Sequence, residues 1–300
     1  MMRIDPKDVE TRVLHGHLLS AVAPRPIALA STVDGDGNVN LSPYSFFNVF
    51  SANPPLAIFS PARRVRNNTT KDTLTNAEET GEVVINIVSY DMVQQTSLSS
   101  TEYETGVNEF VKAGFTELPS EMVSAPRVAE SPVQLECKVR EVVKLGDHGG
   151  AGNLVIAEIV LMHINEAVLG EDGKIDQHKI DTVGRLGKNW YVRASGDALF
   201  EVEKPLSTLG IGVDQIPKRI RDSYILSGND LGMLGNVEKL PSDAEIEEFS
   251  HHHKIESIMS TTTDGLERRE MLHHYAKELL EEGKVEKAWK ALLVDKLNRV

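Results

Sequence analysis

Residues 25–48 read RPIALASTVDGDGNVNLSPYSFFN. The run from Pro26 to Val33 is apolar and rich in β-formers. It is followed by Asp34-Gly35-Asp36-Gly37-Asn38, a concentrated turn signal. Extended character resumes at Val39, so the two runs predict an antiparallel hairpin. Working outward, strands are predicted over residues 56–60, after the loop Asn53-Pro54-Pro55, and over residues 82–89 (EVVINIVS). Val133, Leu135, Cys137 and Val139 alternate with Gln134, Glu136, Lys138 and Arg140. That period of two predicts a half-buried strand with Cys137 facing inward as a structural thiol. The apolar run 154–164, across the Gly-rich turn 146–152, predicts its antiparallel partner.

Helices interrupt the strands. Residues 71–80 (KDTLTNAEET) form a polar helix that stops at Gly81, with Thr70 or Asp72 as its N-cap. Shorter helices are predicted over 91–99 and 107–113. After about residue 196 the pattern changes to helices, near 217–226, 242–253, 264–282 and 284–298. The last two form a hairpin broken at Gly283. Leu266, Arg269, Leu272, His273, Ala276, Leu279 and Leu280 mark one helical face. The chain therefore divides into a β-rich domain, residues 1–195, and a helical extension, residues 196–300.

Composition narrows the function classes. Of 300 residues, 32 are basic and 45 acidic, a net charge of −13. A body this acidic repels phosphate polymers and anionic lipid, which argues against nucleic-acid and membrane-surface partners. With 40% hydrophobic and 26% charged residues, the chain has an ordinary globular mix. No stretch reaches the roughly 18 apolar residues of a membrane span. The N-terminus carries acids and no apolar h-region, so no signal peptide is read. The single cysteine, Cys137, forms no intrachain disulfide and fits a reducing, cytoplasmic setting.

Residues 37–71 contain no Asp or Glu, although acids make up 45 of 300 residues overall. Near its end the stretch holds Arg63, Arg64, Arg66 and Lys71, a local positive field that focuses small anions. Lys71-Asp72-Thr73 leads into a helix, and a helix N-terminus with an ammonium and a hydroxyl makes a phosphate site. Tyr44, Phe46, Phe47, Phe50 and Phe59 lie close together in a chain with eight Phe, interleaved with Ser42, Ser45, Asn48 and Ser60. Aromatic walls, small hydroxyls and an anion site together favour a planar phosphorylated ligand. FMN and pyridoxal phosphate both meet that description.

The blocks RPIALAST (25–32), DGNVNLSPYSFFN (36–48), NPPL (53–56) and KDT (71–73), in that order and spacing, resemble the flavin reductase-like FMN-binding split-barrel family, which includes flavoredoxins. EVVINI (82–87) and VGRLG (183–187) with Tyr191 resemble later blocks. The resemblance covers about residues 10–195. It implies a mainly β fold, a Greek-key antiparallel split barrel with flanking helices, and a homodimer with FMN near its interface. Carried over by residue, Asn40, Ser42, Pro43, Tyr44, Ser45, Phe46 and Phe47 would line the isoalloxazine edge. Ser60, Arg63, Lys71 and Thr73 would surround the ribityl phosphate, and Asp72 would orient the loop or cap the helix. Arg25 and Arg185 would offset charge on the reduced flavin. Gly146-Asp147-His148 resembles the family's Gly-Asp-His motif, which makes His148 the candidate catalytic residue on the nicotinamide side. Here Gly149-Gly150-Ala151-Gly152 intervenes downstream, and Ala157-Glu158 replaces the family's Gly-x-Val.

In this setting the flavin carries the chemistry and no catalytic dyad is expected. The first reading is an NAD(P)H-dependent flavin reductase. The second is a flavoredoxin-like electron carrier reduced by a protein partner. The third is a non-catalytic barrel holding another ligand such as haem, for which His163 is the one barrel histidine, placed at a strand end. His251-His252-His253 and His273-His274 invite a metal reading, but consecutive histidines on a helix point apart. They read as solvated helix ends.

Overall fold

The computed structural model describes residues 1–205 and 208–296. The chain divides into two compact units, Met1–Phe200 and Glu201–Val300. The first opens with helix α1 (Thr11–Ala21), which buries none of its residues and which the sequence reading did not anticipate. Strands β1 (Ala28–Val33), β2 (Val39–Tyr44), β3 (Phe47–Ala52) and β4 (Pro55–Phe59) follow. Next come α2 (Asp72–Thr80) and β5 (Glu82–Ile87). A 3-10 turn, Tyr90–Met92, leads to α3 (Val93–Leu98), α4 (Glu109–Ala113) and the short strands β6 (Glu117–Leu118) and β7 (Arg127–Val128). The long strands β8 (Val133–Lys144) and β9 (Asn153–Ile164) and the hairpin β10 (Val183–Arg185) and β11 (Tyr191–Arg193) complete the unit.

Seven strands form one antiparallel sheet in the order β2-β1-β5-β8-β9-β4-β3. The expected hairpin is present, with Ala28 opposite Tyr44 and Val33 opposite Val39. Its turn closes on Asp34, whose carboxylate accepts from the amides of Asp36 and Asn38. The interior strand β1, between β2 and β5, is buried along its whole length because both faces are covered. Ala28 and Ala30 pack with Tyr44, Leu74 and Ile85 on one side. Ile27 and Leu29 pack with Leu41, Phe110 and Val128 on the other. Each fully buried Leu, Ile or Phe in these clusters contributes about 1.5–3 kcal/mol. The small residues at Ala28 and Ala30 let α2 lie close over the sheet.

Two expectations need correction. The N-cap of α2 is Lys71, not Thr70 or Asp72, and no side chain caps the first turn. Gly81 ends the helix in the left-handed region at φ 69°, as its position indicated. On β8, Cys137 is buried as expected, but Gln134 and Glu136 are buried too, at 7% and 0% exposure. A segment running from Ser120 through Ser131 covers that face. Glu136 accepts from the amides of Glu121 and Met122 and lies 2.7 Å from His163 Nε2. Burial pushes its carboxyl up, but these contacts outweigh it and hold it below the usual range. Alternation alone cannot reveal a covering segment from elsewhere in the chain.

The second unit is helical: α5 (Lys218–Arg221), α6 (Gly228–Gly235), α7 (Asp243–Ser250), α8 (His253–Thr261), α9 (Gly265–Glu281) and α10 (Val285–Leu293). The expected helix over 217–226 shrinks to α5, and α6 and α8 were not anticipated. The expected 284–298 helix ends as a 3-10 turn, Val294–Lys296, and its remainder lies outside the described residues. Reciprocal capping boxes open α6 (Ser227 with Asp230) and α7 (Ser242 with Glu245). Gly283, at φ 72°, breaks α9 from α10. Leu272, His273, Ala276, Leu279 and Leu280 are buried as the helical face indicated, while Leu266 is exposed. Trp289 is buried in this unit's own core and donates Nε1–H to Leu234 O at 3.0 Å. Across the described chain, helix therefore outweighs the mainly β balance of the first unit.

Candidate functional site

Asn40, Ser42 and Tyr44 share one face of β2, because alternate residues of a strand point the same way. That face meets the start of α2. Asn40 Nδ2 and Tyr44 Oη each lie 2.8 Å from Thr73 Oγ1, which is fully buried. Thr73 therefore acts as a strut between β2 and α2 and holds Tyr44 in place. Burial pushes the Tyr44 phenol up to about 12, so it stays protonated.

Lys71 Nζ donates to Ser42 Oγ at 3.3 Å and lies 4.9 Å from the Tyr44 ring centroid. Burial first, then the positive Arg64, pushes the Lys71 ammonium below its ordinary value. Arg64 was not among the site residues read from the sequence. Its Nη1 donates to Thr69 Oγ1 at 2.9 Å and Thr70 O at 2.6 Å. Its Nε is buried without a hydrogen bond, with Glu102 Oε1 3.5 Å away. Two neighbouring cations beside the uncapped first turn of α2 form a setting that an anion would relieve. The residues present fit a phosphate.

The other candidates take up varied places. Arg63 spends its guanidinium on Asn68, at 2.7 Å to Oδ1 and 2.7 Å to the carbonyl. Its backbone pairs with Ala151 O and Gly150 N, so it staples the loop before α2 to the Gly-rich turn. Ser60 is buried and its Oγ accepts from Asn153 N at 3.1 Å. A Cβ on Gly152 would come within 2.8 Å of that hydroxyl, and one on Gly149 within 3.0 Å of Val65 O. The inserted glycines thus let the turn lie directly on the residue 60–66 loop. Asp72 accepts from Thr105 Oγ1 at 3.4 Å and, with Asp34 and Glu79, lines a cavity of about 190 Å³. Those acidic walls suit a phosphate poorly.

Ser45 Oγ accepts from Arg25 Nε at 3.3 Å. Arg25 is buried and donates to Leu19 O, Val22 O and Leu186 O at 2.5, 2.6 and 3.1 Å. Its charge thus meets carbonyls at the end of α1 rather than a carboxylate. Pro43 is half-buried opposite Leu29, and Phe47 packs half-buried against the barrel core. Phe46 is exposed, edge-on to His15 at 6.1 Å. Arg185 pairs with Arg25 through the backbone, but its guanidinium lines a different cavity, of about 370 Å³. The side chain of His148 is 95% exposed beside Asp147. The structure thus gathers Asn40, Ser42, Tyr44, Lys71, Thr73 and the missed Arg64, while Arg185 lines the other cavity and the His148 side chain lies in solvent.

Residues 20–179 match the family described as flavin reductase like domain. The chain belongs to the flavin reductase-like family. Its sheet, flanking helices and helical C-terminal unit conform to the split-barrel fold expected from the sequence. A protein of Aquifex aeolicus (strain VF5) is 36% identical over 196 residues, 65% of this chain and 97% of its own length. Nitrilotriacetate monooxygenase component B from Bacillus cereus superposes with a TM-score of 0.63 at 30% identity, covering 67% of this chain and 98% of that one. Flavoredoxin of Desulfovibrio vulgaris (Miyazaki F) gives 0.53 at 25% identity, over 69% and 98%. Membership of this family supports a flavin-binding redox role.

Among the described residues no group of three or more His, Cys, Asp or Glu is placed to hold a metal. His252 stacks on Phe249 with centroids 5.2 Å apart, and His273 is buried against Ser223. No helix of the described residues is long and apolar enough to cross a membrane.

Proposed function

We propose that this protein binds FMN and works as an NAD(P)H-dependent flavin reductase within residues 1–195, with residues 196–300 as a helical extension. The observation that carries this reading is the Lys71–Arg64 pair with the buried Arg64 Nε beside the uncapped start of α2. Lys71, Arg64 and the first amides of α2 would hold the ribityl phosphate. Thr73 and Ser60 would support that cradle through their structural hydrogen bonds. Arg63 would set the loop that carries Arg64. Ser42 and residues 43–47 would border the isoalloxazine edge, with Arg25 orienting Ser45. Bound FMN supplies the hydride and electron chemistry. The protein supplies placement, a dry wall and positive potential.

An electron-carrier reading, with reduction by a protein partner, is favoured by one feature. The Gly-rich turn packs its backbone on the residue 60–66 loop but holds the His148 side chain in solvent. The exposed Phe46, Val49 and Phe50 on and beside the edge strand β3 support association into a homodimer. The deciding experiment is a visible spectrum of protein loaded with FMN, followed by anaerobic titration with NADH and NADPH. Bleaching of the flavin bands by either nucleotide supports the reductase. Bleaching only by a reduced redox protein supports the carrier. Failure to take up FMN at all removes both.

A further inference from the structure

The cavity of about 370 Å³ lies in the first unit, between the start of α3 and the β10–β11 hairpin. It shares no lining residue with the Lys71–Arg64 cluster. Two arginines enter it in opposite states. Arg193 stacks 3.8 Å over the Tyr90 ring and binds both oxygens of Asp181, at 2.7 and 2.6 Å. Asp91 also acts on Arg193. That cation is fully answered. Arg185 stacks 4.6 Å over the Tyr191 ring and makes one hydrogen bond, from Nη1 to Trp190 O at 3.0 Å. Among the described residues it has no carboxylate in ion-pair range. Arg25, its backbone partner, adds a second positive charge that is met only by neutral oxygens.

A guanidinium with one face on an aromatic ring and one edge free presents a fixed donor fork. That fork matches a carboxylate in two parallel bonds. Beside it, Val183 and the ring of Tyr191 offer an apolar, flat surface. A volume at the small end of ligand cavities admits a compact body rather than a dinucleotide. We infer that this cavity is a second small-molecule site, distinct from the flavin cluster, for a one-ring aromatic carboxylate. Arg185 would hold the acid, and Tyr191 with Val183 would flank the ring. Asn189 stands at the rim for a polar ring substituent. The inference stands independently of the flavin reading, since it uses none of that site's Lys71-side residues.

The test is calorimetric titration of the full chain with benzoate, and in parallel with benzamide, which has the ring without the charge. Benzoate is expected to bind saturably with a Kd of about 1 mM or tighter, and benzamide at least about tenfold more weakly. Arg185→Gln is expected to weaken benzoate at least about tenfold and to leave FMN affinity within about twofold. A readout without any variant uses the two tryptophans. The indole resonance of exposed Trp190 should shift on saturation, and that of buried Trp289 should not. The inference is overturned by an absence of saturable benzoate binding, by equal affinity for benzamide, or by an unmoved Trp190. It is also overturned if Arg185→Gln loses benzoate and FMN together, because the cavity would then belong to the flavin site.

Discussion

At Lys71, desolvation and the facing Arg64 both disfavour the ammonium, yet Ser42, Tyr44 and the helix start hold it there. Charge-assisted hydrogen bonds to a phosphate are each worth about 1.5–3 kcal/mol. Lys71→Ala and Arg64→Ala are therefore expected to weaken FMN at least about tenfold each, and the double variant about a hundredfold or more. Flavin fluorescence quenching measures this, and far-UV circular dichroism should stay unchanged. Unaltered FMN affinity in the double variant would place the phosphate elsewhere. The sequence showed a cationic run but not which cation faces inward. Arg63 and Arg64 differ in that Asn68 takes the first, a choice set by loop geometry that no periodicity encodes.

Strand β8 shows what local pattern can and cannot specify. Its alternation over residues 133–140 placed Cys137 inside, and the Gly-rich turn after it indicated the antiparallel pairing with β9, while the strand itself runs on to Lys144. Burial of Glu136 depends on a loop whose path is a tertiary fact. That loop is anchored by the carboxylate through the amides of Glu121 and Met122, with Arg127 Nε at 3.8 Å and His163 alongside. Removing the acid leaves buried donors without an acceptor. Glu136→Ala should destabilise the first unit by about 3–5 kcal/mol, read as a lower denaturant midpoint. A loss below about 1 kcal/mol would show that water replaces the carboxylate. The inserted glycines are a second case. Their number was visible in the sequence, but their purpose, contact with the residue 60–66 loop, was not.

On the scale of the molecule, the two units have separate cores and should answer acid differently. His273 in the second unit is buried, and desolvation lowers its pKa from 6.5 to about 4. A depressed histidine is neutral in the folded state, so its stabilising effect is full above pH 6.5. It is lost as pH falls from 6.5 to about 4, where both states are protonated. The loss amounts to about 3 kcal/mol. Glu136 in the first unit is depressed from 4.5, so its contribution persists until pH falls below that value. Acid should therefore loosen the helical unit before the barrel. Circular dichroism melts at pH 7 and pH 5 measure the difference, and His273→Gln should flatten it. The helical unit's α9–α10 hairpin was legible from its helical spacing and Gly283. Its α8 was not, because the three consecutive histidines before and at its start mask the apolar spacing of Ile255 and Ile258.

Cys137 sits at zero exposure in the middle of the sheet, its thiol pushed up to about 12 by burial and then by Glu136. An alkylating reagent can reach this sulfur only when β5, β8 and β9 separate. The chain therefore carries an internal clock: the rate at which iodoacetamide marks it counts openings of the barrel, with no engineered label required.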